Sequence, residues 1–233
     1  MYAELWKEKL KWIVVMMMLM AFIYGCHSLN MRVAADKVDE KIAHVVIDPG
    51  HGGSDPGKVG VNGIAEKDIN LKIAMKIRER LEAQKVLVTM TREKDEGVTG
   101  KPSAGGKIKD MRRRVDKINK AAPDLAVSIH QNSYSDPAVK GAQVFYYTGS
   151  EETKRMAAIV QQELWSLDLD SRRKEAANDD YYLFRHTKVP IIIVECGFLS
   201  NPREAEKLAE DEYQNIVADT VTRGILACFK SQK

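Results

Sequence analysis

After Lys7, Lys9 and Lys11 the chain runs through fifteen residues, Trp12 to Cys26, without a single charge. The run is apolar on every face and shorter than the about 20 residues a bilayer-spanning helix needs. Basic residues followed by a short apolar run are the layout of a secretory signal. Val33-Ala34-Ala35 offers small residues for cleavage, and Ile23-Tyr24-Gly25-Cys26 loosely resembles a lipoprotein site with Cys26 lipidated. An uncleaved anchor is a third export reading, and a buried core helix is the alternative. Residues 1–35 are therefore expected to be a signal peptide or membrane anchor, 36–42 a linker, and 43–233 the folded domain. All three export readings place that domain outside the cytoplasmic membrane.

Beyond the linker the pattern alternates. His44 to Ile47 is a β-branched run ending at Asp48-Pro49-Gly50, a strand and turn. Ile69, Ile73, Ile77 and Leu81 recur four apart over 66–84, one face of a helix. Val86–Thr91 reads as a strand, 95–109 as a loop rich in Gly and Lys, and Met111, Val115 and Ile118 as a helix that Pro123 ends. Strands follow at Leu125–Ile129 and Ala142–Tyr147, then a helix through Met156, Ile159, Val160 and Leu164, then a polar stretch, 168–180. Val189–Val194 is almost purely aliphatic, as a strand buried on both faces should be. Short helices occupy 202–229. Strands alternating with helices predict an α/β fold: one domain, a twisted, mostly parallel sheet of about six strands with helices on both faces.

Composition narrows the function. The 233 residues are 44% hydrophobic and 30% charged, which supplies one core and argues against disorder. The net charge of +3 divides into +1 for residues 1–30 and +2 for the rest, with no basic excess for nucleic acid. Cys26, Cys196 and Cys228 are odd in number and widely spaced, which excludes a disulfide scaffold.

The polar residues that fit no core fall at strand ends, where open parallel sheets form their sites. His51 follows the first strand, Glu66 opens the first helix after it, His130 ends the third strand, and Glu195 ends the aliphatic one. Singly, a Glu at a helix start complements the dipole, and a His at a strand end is often structural. Together, two imidazoles and a carboxylate are a catalytic zinc set, with a second carboxylate to move protons. Spacing leaves open which Glu does which. The expected reaction is metal-assisted hydrolysis of an amide or ester.

At these residues the chain resembles the zinc-dependent N-acetylmuramoyl-L-alanine amidases. Val45 to Gly53, with Asp55-Pro56-Gly57, resembles their opening motif; Ala65 to Asp68, Ser128 to Asn132 and Val194 to Asn201 resemble the next three, and Thr91-Arg92 with Asp95 also matches. The resemblance spans roughly 43–229. It implies one Zn²⁺ per chain on His51, Glu66 and His130, Glu195 as the catalytic residue, and Asn132 and Arg185 on the substrate. It implies a peptidoglycan substrate and a twisted parallel sheet. No wall-binding repeats are expected in this chain, and His130 and Glu195 stand only 65 positions apart, most of it taken by a strand, a helix and a strand, so a long inhibitory helix is not expected. That architecture is similar to the germination-specific amidases, which act on spore cortex on the way to muramic-δ-lactam. It leaves control to a regulatory or lipoprotein partner, or to timed expression, with the membrane touched only through the N-terminal segment. The rival readings are a carboxypeptidase-like zinc hydrolase, a vegetative wall-remodelling amidase and a non-catalytic wall-binding module.

Other features are discounted. Arg112-Arg113-Arg114 reads as a solvated helix face with one Arg turned inward, and Tyr146-Tyr147 and Tyr181-Tyr182 as packing residues. Cys196 follows Glu195, so alternation puts it on the opposite face as an inert thiol. His27, His44 and His186 have no partners at ligand spacing.

Overall fold

The computed structural model describes residues 2–35, 42–97, 106–168 and 172–230. It divides into two units, Met1–Glu40 and Lys41–Lys233. The first holds one helix, α1 (Tyr2–Ala35), built from strong helix formers such as Leu, Met, Lys and Ala. Among the described residues no helix is long and apolar enough to cross a membrane. Of the expected linker, residues 36–41 lie outside the described ones.

The second unit is one α/β domain. Its strands are β1 (His44–Pro49), β2 (Leu87–Met90), β3 (Leu125–Asn132), β4 (Gln143–Tyr146), β5 (Ala176–Ala177) and β6 (Ile191–Phe198). Its helices are α2 (Glu66–Ala83), α3 (Gly106–Ala121), α4 (Glu151–Leu164), α5 (Tyr182–His186), α6 (Pro202–Ala209) and α7 (Asp211–Lys230). The sheet order is β2-β1-β3-β6-β4-β5. Neighbours are parallel except β4 and β6, which run antiparallel. The chain leaves β1 for β2 on one side and returns to β3 on the other. The crevice between β1 and β3 is thus the switch point, where such sheets place their ligands.

Alternation sorts the strands' side chains between two cores. Val45, Ile47, Val127, Ile129, Ile192 and Val194 pack with Ile69, Ile73 and Ile77 of α2 and with α4 and α7. Val46, Ala126, Ile191 and Ile193 pack on the other face with Val115 and Ile118 of α3 and Leu183 and Phe184 of α5. Two residues further along, the second set becomes Asp48, Ser128 and Glu195, with His130 after Ser128. Register aligns them: Asp48 pairs with Ser128 and His130 with Glu195. The polar row is thus the continuation of one apolar face past the edge of its helical cover.

Several boundaries differ from expectation. β3 and β6 outrun their aliphatic stretches, so His130 and Glu195 lie inside strands rather than at their ends. Backbone pairing continues there because each strand has a neighbour to bond, whatever its side chains. The polar stretch 168–180 contributes β5, and the short helix α5 went unread because five residues carry no periodicity. The C-terminus holds one short helix and one of 20 residues, α7, rather than short helices throughout.

Candidate active site

His51 sits on the turn after β1 with φ 60°, in the left-handed region that a side chain adopts only when held there. What holds it is a pair of buried arginines. Arg114, on α3, donates to the carbonyls of Pro49 (2.7 Å) and His51 and to Asp48 Oδ1 (2.6 Å). Arg92, after β2, donates to the carbonyls of Pro49 and Gly50, each at 3.0 Å. Asp48 also accepts from Thr91 Oγ1 (2.5 Å) and Ser128 Oγ (2.7 Å). Burial would raise the Asp48 pKa, but Arg114 and the two hydroxyls outweigh it and bring it down to about 2. The inward-facing Arg expected among Arg112–Arg114 is therefore Arg114, at 1% exposure.

Glu66, the first residue of α2, lies between the two imidazoles. Its Oε1 accepts from His130 Nδ1 at 2.9 Å, and His51 Nε2 stands 3.2 Å from Oε2. The backbone N–H of Lys58 (2.9 Å), the backbone N–H of Gln131 and the Asn70 amide (each 3.2 Å) also donate to it. Burial pushes its pKa up, yet the hydrogen bonds and charges of His130 and His51 hold it well below the usual carboxylate range. His130 titrates higher than a free histidine, because Glu66 outweighs its burial. His51 Nδ1 is hydrogen-bonded to Asp55 at 2.8 Å. The rings of His51 and His130 meet edge to face, 5.0 Å between centroids. A Cβ at Gly50 would collide with the His130 ring, and one at Gly57 would meet Glu66 Oε2 and His51. Both positions must be glycine for the cluster to close.

One ligand atom each from His51, Glu66 and His130 lies within 4.8 Å of the others. Two imidazoles and a carboxylate at this separation could hold a metal ion. A carboxylate behind one imidazole, as Asp55 stands behind His51, is how metal-binding histidines are commonly oriented.

Glu195 projects from β6 beside His130. It is 6% exposed, its Oε1 accepts from the Tyr181 hydroxyl at 3.3 Å, and its Oε2 has no hydrogen-bond partner. Burial dominates and lifts its pKa to about 7, although His130 and Tyr181 pull the other way. Tyr181 is itself wedged edge-on between Phe145 and Phe184.

A cleft of about 370 Å³ opens over this group, with Met111, Tyr182 and Ile193 as its apolar wall. Asn132 lines it, its Oδ1 accepting from the backbone of Ser133. Arg185 does not line it. Leu183 and Phe184 take the buried side of α5, and Arg185 turns to the Asp179 carbonyl and the Asp180 carboxylate instead. Cys196 is buried on the opposite face, and burial pushes its thiol well above the usual range. Tyr181 was read from sequence as a packing residue, and although Asp48 and Arg92 lie in the matching motifs, their linkage through Arg114 was not foreseen. Alternation from Val46 could have placed Asp48 on the site's face, but nothing local ties Arg114 to it across 66 residues.

An α/β sheet with a His-Glu-His cluster at its switch point, facing a buried carboxylate that titrates near neutrality, defines a hydrolase centre able to take a metal. The sequence pattern of the N-acetylmuramoyl-L-alanine amidases matches residues 45–227, and the chain belongs to that family of peptidoglycan amidases. The germination-specific N-acetylmuramoyl-L-alanine amidase of Bacillus subtilis is 38% identical over 188 residues, 79% of each chain. The amidase LytC of the same organism is 29% identical over 80% of this chain but only 35% of its own length. Among solved structures, the CwlD amidase of Clostridioides difficile, in complex with the GerS lipoprotein, superposes with a TM-score of 0.75 at 31% identity. That match covers 82% of this chain and all of that one. The amidase AmiC2 of Nostoc punctiforme gives 0.70 at 30% identity, over 82% and 98% of the two chains.

Proposed function

We propose that the chain is a zinc-dependent amidase that cleaves the bond between N-acetylmuramic acid and L-alanine in spore cortex peptidoglycan. The observation that carries the reading is the convergence of His51, Glu66 and His130 within 4.8 Å, with the unpartnered Oε2 of Glu195 beside them. His51, Glu66 and His130 would hold the zinc, and Glu195 would carry the proton. Bound zinc supplies Lewis-acid polarisation of the carbonyl and activation of water. Glu195 Oε2 accepts the proton of the attacking water and delivers it to the alanine nitrogen as the C–N bond breaks. A carboxyl with a pKa of about 7 suits both halves of that transfer near neutral pH. Tyr181 holds the other oxygen, and Asn132 meets the substrate in the cleft.

The cortex role is supported by the germination-specific relative of similar length. Loss of the peptide stem there would leave muramic acid free to become muramic-δ-lactam. The basic and apolar start of the chain supports export, by a cleaved signal, an anchor or lipidation at Cys26. The CwlD–GerS pairing is a property of that protein; it supports a lipoprotein partner for this one.

Muropeptide analysis of digested cortex tests the reading. Intact stems with N-terminal alanine are expected, their release abolished by chelation and restored by added zinc. Release of stem fragments by a carboxypeptidase-type cut, or activity that survives chelation, would overturn it.

A further inference from the structure

Glu195 has a neighbour on its other side. In the antiparallel pairing of β4 with β6, Gln143 stands opposite Glu195, as His130 does in the pairing with β3. Directly opposed residues share a face of the sheet. His130, Glu195 and Gln143 therefore form one row across three strands, each step about 5 Å. The Gln143 amide oxygen accepts from Arg173 Nη1 at 3.1 Å, and Arg173 Nε donates to the Lys140 carbonyl at 2.8 Å. The guanidinium lies over the Phe198 ring, 4.8 Å from its centroid. Three neutral groups thus fix a permanent positive charge in place, and no carboxylate pairs with it among the described residues.

A hollow of about 300 Å³ adjoins this guanidinium, lined by Asn132, Tyr134, Val139, Gln143, Arg173 and Phe198. None of these is acidic. Asn132 lines both this hollow and the catalytic cleft, so the two meet at that residue. A fixed, partly buried guanidinium is suited to bind a carboxylate, since its planar fork matches both oxygens.

We propose that Arg173 and this hollow form a subsite for a free carboxylate on the peptide stem of the substrate, on the leaving-group side of the scissile amide. Chemistry selects the stem over the glycan. The lactyl carboxyl of the sugar is consumed in the scissile amide, so the remaining anions near that bond are on the peptide. Distance agrees: Gln143 lies two strand spacings from His130, about 10 Å, the span of about three extended residues. The inference rests on the reading of the centre given above.

The test uses two synthetic muropeptides, one with free stem carboxylates and one with those carboxylates amidated. The zinc-loaded enzyme is expected to favour the free form by about tenfold in kcat/KM, expressed in KM, as a charged hydrogen bond is lost in the other. Arg173→Gln should bring the ratio to within about twofold while sparing kcat on the amidated form; Arg173→Lys should keep part of the preference. The ratio is internal to each preparation, so partial loss of folded protein does not move it. A wild-type ratio near one, or an unchanged ratio in Arg173→Gln, overturns the subsite alone. Cleavage of neither muropeptide would overturn the reaction assigned to the centre and the subsite with it.

Discussion

Asp48→Asn isolates the device that holds His51 in place. The Asp48 and Arg114 side chains are 1% and 2% exposed and 2.6 Å apart. Removing one charge of a buried pair strands the other, at about 3–5 kcal/mol. Asp110 remains 2.9 Å from Arg114 Nε, so the lower figure, about 3 kcal/mol, is expected. A second route gives a similar size. The Asp48 pKa falls from 3.8 to about 2, and at 1.36 kcal/mol per unit the fold favours the carboxylate by about 2 kcal/mol. The sign follows: this stability is fully present above the unfolded pKa and is lost as pH falls from about 4 towards 2. For a domain of this size the melting temperature should drop by roughly 6–12 °C at pH 7. Thermal and urea denaturation of both proteins from pH 7 down to 3 would measure it. The gap should narrow as pH falls, because protonated Asp48 then resembles asparagine. Adding Arg114→Met should recover part of the loss, since no lone buried charge remains. A loss under about 1 kcal/mol, or a gap that does not change with pH, refutes the argument.

The site makes further predictions. Glu195→Gln should keep its zinc and lose about 10²–10⁴-fold in turnover, whereas Glu66→Gln should lose zinc first and regain activity at high zinc. Zinc content and amidase rate measured on both variants decide this, and the opposite pattern would reverse the two roles. Asp55→Asn, which weakens the carboxylate behind His51, should cost about 10–100-fold in zinc affinity, read by competition with a chelator. If Glu195 carries the proton as proposed, it must be ionised to accept it, and with its pKa raised to about 7, kcat/KM should fall on the acid side with a midpoint near 7. A rate independent of pH between 5 and 8 would remove Glu195 from the proton path.

Much of this protein was written along the chain. The four-residue period of Ile69, Ile73, Ile77 and Leu81 determined α2, and the aliphatic run before Glu195 determined a buried central strand, because burial selects side chains at a fixed local spacing. The same spacing put Cys196 on the face away from the chemistry. His51, Glu66, His130 and Glu195 stood out because polar residues at the rim of an apolar sheet lack any packing reason to be there. What the sequence could not supply was register and reach. Whether His130 faces Glu195 depends on how β3 slides against β6, and every alternation is compatible with several such alignments. Arg114 looked like its neighbours Arg112 and Arg113 until α3 packed and brought it to Asp48. Arg173 lay in a polar stretch without period and Tyr181 just after it, and their contacts with Gln143 and Glu195 arose only where β4 and α5 packed beside β6. Local patterns record what is buried; only the folded chain decides what meets.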